Sequence, residues 1–360
     1  MSGADSRVPL VESISLARGV PAPECLALEE LADCARAAIE RDGATVLNYG
    51  PAGGYGPLRD WIADRHRVSA ERVVLTNGSL QGFRFLAELL APKGTVVVEA
   101  PTYDRPLKIL DELDADVICV PLDEEPTIEE GAFLYTIPTF QNPTGQTLPL
   151  ERRKQLAHLA KGGLLVLEDD PYGLVRFEGE ALPTVFELAK GRNVVYSSSF
   201  SKTVAPGLRV GYLVLPAELA DRIVAAATSS YITPGLLSQA TVYEFLRRRA
   251  FEPNLERVRG LLRERRDAML SALERHFPEA TWTVPEGGYF LWVDLPEGVA
   301  TADLHPEGVT FVPGSDFFCG SGGESSVRLA FSYETPTAIE EAVRRLASAV
   351  RAAMLLRRAA

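Results

Sequence analysis

Lysine is scarce in this chain. Only Lys93, Lys108, Lys154, Lys161, Lys190 and Lys202 occur among 360 residues, so arginine carries most of the positive charge. With 37 Lys and Arg against 49 Asp and Glu, the formal net charge is −12. A surface of that sign repels phosphate backbones and anionic bilayers, which argues against nucleic acid and membrane partners. Histidine and cysteine number four each. Cys25, Cys34, Cys119 and Cys319 contain no Cys-x-x-Cys pair, and His66, His158, His276 and His305 are dispersed. Neither a disulfide framework nor a metal centre is expected, and a reducing cytoplasm fits that cysteine usage. No apolar run approaches the ~20 residues of a membrane-spanning helix. Residues 1–16 lack the basic start and apolar middle of a secretory leader. Also missing are a Gly-x-x-x-x-Gly-Lys-Ser/Thr phosphate loop and a Gly-x-Ser-x-Gly elbow. The stretch Gly54-Tyr55-Gly56 starts like a dinucleotide fingerprint but lacks the third glycine and a preceding strand.

What is present is an alternation of short apolar runs with helical-period segments. Strands are predicted at Val73–Leu75, Thr95–Glu99, Asp116–Val120, Ala132–Ile137, Leu164–Leu167, Asn193–Tyr196 and Val210–Leu215. Helices are predicted at Leu80–Leu90, Arg105–Leu113 and Leu150–Lys161. That rhythm predicts a doubly wound α/β sheet covered on both faces. After about Leu236 the pattern changes. A long helical stretch, Phe245–Phe277, precedes strand-like Tyr289–Val293 and Val327–Phe331, then a helix from Pro336 onward. This predicts a smaller α+β lobe. The chain length suits one large core plus a second lobe, since single cores stop growing near ~250–300 residues.

Four segments carry chemistry. Lys202 closes the run Ser197-Ser198-Ser199-Phe200-Ser201-Lys202, just past an apolar strand. Ligands of open α/β sheets bind beyond such strand ends, and an amine there suits a carbonyl cofactor. The surrounding hydroxyls and Arg209 suit a phosphate. A solvated loop lysine is the competing reading. Glu168-Asp169-Asp170-Pro171-Tyr172 places carboxylates at another strand end, where one can pair with a cationic ring nitrogen; it also reads as an ordinary turn. Gln141-Asn142-Pro143-Thr144-Gly145 offers the Asn142 amide. Asn77-Gly78-Ser79-Leu80 joins a strand to a helix N-terminus, a setting that favours anions.

In this order and spacing, the set resembles the class I/II aminotransferases of fold type I, over nearly the whole chain. Ser199-Phe200-Ser201-Lys202 with Ala205-Pro206-Gly207-Leu208-Arg209-Val210-Gly211 is similar to the family's cofactor-lysine signature, and Ser326-Val327-Arg328-Leu329 to its late arginine segment. The branch most resembled holds 2-aminoadipate, kynurenine and aromatic aminotransferases. The resemblance implies pyridoxal 5'-phosphate as cofactor and a mostly parallel sheet between helices in a large domain of residues 41–245. It also implies a small C-terminal domain of residues 246–360, with residues 1–40 forming an N-terminal arm and part of that small domain.

The same resemblance implies roles. Lys202 would hold the cofactor as a Schiff base and shuttle the proton. Asp169, rather than Asp170, would pair with the pyridine nitrogen. Tyr172 and Asn142 would contact the ring oxygen, and Tyr103 would stack on the ring. Ser79, the Leu80 backbone, Ser199 and Arg209 would hold the phosphate. Arg328 would clamp the substrate carboxylate with its planar fork, and Asn142 would assist. Gly19 matches the N-terminal segment that covers the substrate. Tyr49 matches a tyrosine contributed across a subunit boundary, which implies a two-fold homodimer with shared sites.

Two departures stand out. Arg18 replaces a small residue and either reaches the substrate's distal group or lies in solvent. The stretch Pro296–Val309 is short where relatives carry a helix. The expected activity moves the amino group of an L-amino acid to a 2-oxo acid by a ping-pong route, with Arg18, Tyr55 and Tyr231 as candidates for the side-chain pocket. Elimination or replacement on the same cofactor is the alternative.

Overall fold

The computed structural model describes residues 13–122, 124 and 131–359. The first 12 residues, read above for a leader, lie outside them. The described residues run through thirteen strands: β1 (Ile14–Ser15), β2 (Val73–Thr76), β3 (Thr95–Ala100), β4 (Val117–Pro121), β5 (Gly131–Thr136), β6 (Val166–Asp169), β7 (Val194–Ser199), β8 (Gly211–Val214), β9 (Thr281–Trp282), β10 (Phe290–Asp294), β11 (Val309–Thr310), β12 (Val312–Pro313) and β13 (Ser326–Ala330). The helices are α1 (Leu28–Val46), α2 (Gly56–His66), α3 (Ser79–Leu90), α4 (Asp104–Glu112), α5 (Leu150–Lys161), α6 (Val185–Ala189), α7 (Ala217–Tyr231), α8 (Leu236–Arg247), α9 (Phe251–His276) and α10 (Pro336–Ala359).

Seven strands form one sheet in the order β2-β8-β7-β6-β5-β3-β4. Only β8 runs against its neighbours within it. Its central strands β6 and β7 are buried along their whole length. Buried residues split into two apolar clusters. Val166 and Val194 belong to one, and Leu167 and Val195 to the other. Alternation along neighbouring strands therefore feeds both faces, as a sheet covered on each side requires. A second sheet, β12-β13-β10-β9, is antiparallel, and β1 pairs in parallel with β11. The expected α/β class with a mostly parallel sheet is therefore what the chain adopts.

Two sequence expectations, those for Phe245–Phe277 and for the cysteines, need correction, whereas the short Pro296–Val309 segment behaves as expected. The stretch Phe245–Phe277 is not one helix: α8 ends at Arg247 and α9 begins at Phe251. Between them Arg249 adopts φ 59°, a left-handed conformation that a continuous helix does not allow. The short segment Pro296–Val309 lacks a helix of ordinary length, and its end, β11, instead receives the N-terminal strand β1. The cysteines are not all free. Cys119 on β4 and Cys319, 200 positions apart in sequence, are joined in a disulfide with Cα atoms 6.5 Å apart. Sequence spacing cannot reveal that pairing, because only the fold brings the two together. Among the described residues no helix is long and apolar enough to cross a membrane.

Candidate active site

A cavity of about 370 Å³ opens where the carboxyl ends of the large sheet face β10 and β13. Lys202, Asp169, Asn142, Tyr103, Tyr172, Ser79, Gly19 and Arg328 all line it. Residues up to 123 positions apart in sequence, from Ser79 after β2 to Asp169 and Lys202 at the ends of β6 and β7, thus converge on one wall, because parallel strands present their carboxyl ends on the same side.

Lys202 sits a few residues beyond β7. Its ammonium donates to the Gly19 carbonyl at 2.6 Å and lies 5.1 Å from the centre of the Tyr289 ring. Burial, then the positive charges of Arg328 and Arg209, push its pKa down to about 8. The other end of the residue is fixed by the Tyr289 hydroxyl, which donates to the Lys202 carbonyl at 3.1 Å.

Asp169 is the last residue of β6. The Tyr135 hydroxyl donates to it at 2.9 Å and the Ser197 hydroxyl at 3.0 Å. Burial dominates those bonds and lifts its pKa to about 6. The neighbouring acids face elsewhere. Asp170 accepts from the Tyr196 hydroxyl and the Gly173 amide, whereas Glu168 accepts the Val185 and Phe186 amides at the start of α6. Consecutive residues of a strand point to opposite faces, so only one acid of the three is presented to the cavity. Its partners Tyr135 and Ser197 were not singled out in the sequence. Each comes from a strand flanking β6, and Ser197 lies directly opposite Asp169 in the register.

The Gly78 turn forms a cup. Gly78 has φ 90°, and a Cβ at that position would collide with the Arg209 guanidinium. A Cβ on Gly211 would collide with the Ser79 amide. Two glycines thus let Arg209, the first turn of α3 and β8 approach within contact distance. Arg209 donates to the Asn77 and Pro206 carbonyls at 3.2 and 3.3 Å. The leading amides of α3 lack helical acceptors, as at any helix start, and face the positive end of the helix dipole. Ser199 is buried; its hydroxyl donates to the Val210 carbonyl and accepts from the Ser201 amide.

Arg328 enters from β13. It donates to the Asn142 side-chain oxygen at 2.9 Å and to the Ala17 carbonyl at 3.0 Å. Its guanidinium carbon lies 4.0 Å from the Phe290 ring centre and 5.0 Å from that of Phe317. Its Nε is buried without a partner. A guanidinium held between two rings with spare donor capacity is prepared for a carboxylate. Phe290 and Phe317 carry no sequence signal for this role; only the second sheet sets them there.

Seven sequence candidates are not among the cavity lining: Leu80, Ser199 and Arg209, which belong to the neighbouring cup, and Arg18, Tyr55, Tyr231 and Tyr49. The Arg18 guanidinium is exposed and sits 5.2 Å from the Tyr333 ring centre. Tyr55 is tied to Arg41, Asp42 and Gln239. Tyr231 packs beside Phe85. Tyr49 stands 76 % exposed on the surface. In their place Asp104, Arg105, Val20 and Ile137 line the cavity.

The residues present fit pyridoxal 5'-phosphate. A buried, pKa-depressed amine suits its aldehyde, a buried carboxylate suits its ring nitrogen, and the glycine-shaped cup with Arg209 suits its phosphate.

Comparison with known proteins agrees. Residues 14–346 match the family model for aminotransferase class I and II. A 2-aminoadipate transaminase of Thermus thermophilus is 38 % identical, over 95 % of this chain and 91 % of its own length. Aromatic-amino-acid aminotransferase 1 of Thermococcus litoralis is 32 % identical, over 95 % of this chain and 88 % of its own. The crystal structure of α-aminoadipate aminotransferase from T. thermophilus, complexed with N-(5'-phosphopyridoxyl)-L-leucine, superposes with a TM-score of 0.90. It is 37 % identical and covers 96 % of this chain and 93 % of that one. Fold, cavity and relatives converge: the chain belongs to the class I and II aminotransferases and is a pyridoxal-phosphate-dependent enzyme of amino-group transfer.

Proposed function

We propose that this aminotransferase works as a two-fold homodimer in the cytoplasm, with Lys202 as the covalent anchor of the cofactor and the proton carrier. The cofactor, when bound, supplies an electron sink that acidifies the substrate Cα–H bond. The chain's own residues do the rest. Asp169, ionised and braced by Tyr135 and Ser197, holds a proton on the ring nitrogen. Tyr172 and Asn142 are assigned to the ring oxygen, and Tyr103 to the ring face. Ser79, the Leu80 amide, Ser199 and Arg209 bind the phosphate. Arg328, with Asn142, binds the α-carboxylate, and the segment at Gly19 covers the substrate. The Lys202 amine, freed when the donor's amine takes its place, would remove the Cα proton as base and then, as acid, deliver it two bonds away to the carbon that had carried the aldehyde. The second half runs the same groups in reverse on a 2-oxo acid, which is a ping-pong scheme.

Exposed Tyr49 is the residue proposed to reach the neighbouring subunit's phosphate site. The domain division at residues 40 and 245 belongs to the same reading, with β1 joined to the C-terminal lobe through β11. For the donor, the cavity offers apolar walls at Val20 and Ile137 and a cation, Arg105, at its lining. That suits a side chain with an apolar stem and an anionic end, in keeping with the 2-aminoadipate named for the T. thermophilus relative.

The observation that carries this reading is the buried Lys202 amine sharing one cavity with Asp169 and Arg328. The test is borohydride reduction of the holoenzyme followed by peptide mapping, together with a panel of donors against 2-oxoglutarate. Label on Lys202, and amino transfer from acidic donors ahead of small apolar ones, is the expected result. Label on another lysine, or ammonia release without any need for an oxo acid, overturns it.

A further inference from the structure

We propose that Cys119 and Cys319 are a reversible oxidative modification site whose disulfide ties the arginine-bearing sheet to the edge of the large sheet. The redox state of the pair then sets how firmly an amino acid is held at Arg328.

The positions make the case. Cys119 lies on β4, the edge strand of the seven-stranded sheet, where it is half-buried and packed against the core. Cys319 is exposed and lies two residues beyond Phe317, in the loop that follows β12. Their Cα separation of 6.5 Å lies within the range a disulfide spans. Two routes lead from this bond to the site. Phe317 is fully buried, and its ring lies 5.0 Å from the Arg328 guanidinium carbon and 5.9 Å from the Trp292 ring centre. Its carbonyl accepts the Thr102 amide at 2.9 Å, one residue before Tyr103 on the opposite wall. The second route is the backbone: β12, which leads into this loop, pairs Val312 with Arg328 itself. The loop between β12 and Cys319 therefore touches both walls of the cavity, and the disulfide is its covalent hold on the large sheet. Cys25 and Cys34 are buried and free, so the linkage is specific to this pair.

The chemistry balances with an external disulfide of the glutathione class. The exposed Cys319 thiolate attacks one sulfur of the external disulfide, forms a mixed disulfide and releases one external thiol. The Cys119 thiolate then attacks the Cys319 sulfur and releases the second external thiol. The two cysteines lose two protons and two electrons, and the external disulfide takes up both electrons. A dithiol reverses the sequence. In a reducing cytoplasm the pair rests as thiols, and the cross-link forms when the thiol pool is oxidised. The predicted consequence is on substrate binding more than on the chemical step, because Lys202 and Asp169 stand on the large sheet and do not depend on the loop.

This inference rests on the reading of Arg328 as the carboxylate clamp, which Arg328→Lys tests separately. Its own test has two readouts on the holoenzyme. The first is a digest without reductant after incubation with oxidised glutathione: the peptides bearing Cys119 and Cys319 should migrate as one species and separate after dithiothreitol. The second is steady-state kinetics in both redox states. The donor KM should be at least about fivefold lower in the cross-linked form, the low end of ordinary coupling between two sites, with kcat changed less. C119S and C319S should each abolish the response, and a variant lacking Cys25 and Cys34 should keep it. Peptides that stay separate under oxidant overturn the proposal, as do equal donor KM values in a protein mapped as fully cross-linked and then fully reduced.

Discussion

Lys202, Asp169 and Asn142 reach the cavity from the carboxyl ends of one buried, mostly parallel sheet. Arg328 and Phe290 reach it from a separate antiparallel sheet, and Gly19 from the N-terminal segment. The first wall is braced from within its own sheet: Asp169 is held by Tyr135 and Ser197 on the adjoining strands. The second is held by contacts across the cavity, such as Arg328 to Asn142 and Lys202 to the Gly19 carbonyl. The wall that does the bond chemistry is thus rigid by construction. The wall that recognises the substrate belongs to a different sheet and meets the first through those contacts across the cavity.

If this contrast is right, the largest losses should come from the sheet wall and fall on kcat. Lys202→Ala should lose about 10⁴-fold or more in turnover, since both the covalent anchor and the proton carrier go. The protein should remain folded by circular dichroism. Asp169→Asn should lose roughly 10²–10³-fold in kcat, the usual scale for removing one preorganised charge from a buried site. Retention of near-normal kcat would separate Asp169 from the ring nitrogen.

Changes on the other wall should fall on KM. Arg328→Lys keeps the charge but loses the planar fork, and donor KM should rise about 30- to 100-fold with a smaller change in kcat. A change confined to kcat would place Arg328 with the chemistry instead. The pH dependence follows from the depressed Lys202 amine, whose pKa lies at about 8 rather than 10.5. Only the neutral amine attacks an aldehyde. Attachment of pyridoxal phosphate to cofactor-free protein should therefore speed up about tenfold per pH unit below that value and level off above it. Continued acceleration past pH 9 would show that the cavity does not depress the amine. The smallest expected effect is at the cavity mouth. Arg105 is more than half exposed and its ion-pair partner Asp104 lies 3.5 Å away. Arg105→Ala should raise KM about twofold to fivefold for donors with an anionic end, and leave apolar donors unchanged.

The sheet wall was legible in its contiguous motifs, whereas on the other wall only Arg328 and Gly19 were reached, through the resemblance, and the rings around Arg328 were not, for a physical reason. A strand that ends in Ser-Phe-Ser-Lys or Glu-Asp-Asp-Pro-Tyr carries its functional residue in the same short segment that forms the element. Local sequence and local geometry then coincide. Arg105, Phe290 and Phe317 sit in unremarkable surroundings and acquire their places only when the second sheet packs against the first. Arg18 shows the converse error. Its sequence context suggested a substrate contact, but its guanidinium finds the Tyr333 ring instead. The break between α8 and α9 escaped because Arg249 is an ordinary helix former whose left-handed turn leaves no local sequence signal.

By itself the sequence determined the alternation of strands and helices through its periodicity, and through its family resemblance it pointed to the cofactor and to Lys202 as the proposed anchor. Tertiary structure supplied the physical reason that Asp169, the acid the resemblance had picked, is the one of three adjacent acids that faces the cavity, since strand alternation needs a register before it has a direction. It also decided which cysteines meet, because two residues 200 positions apart share no local signal, and their encounter depends on where the two sheets come to rest.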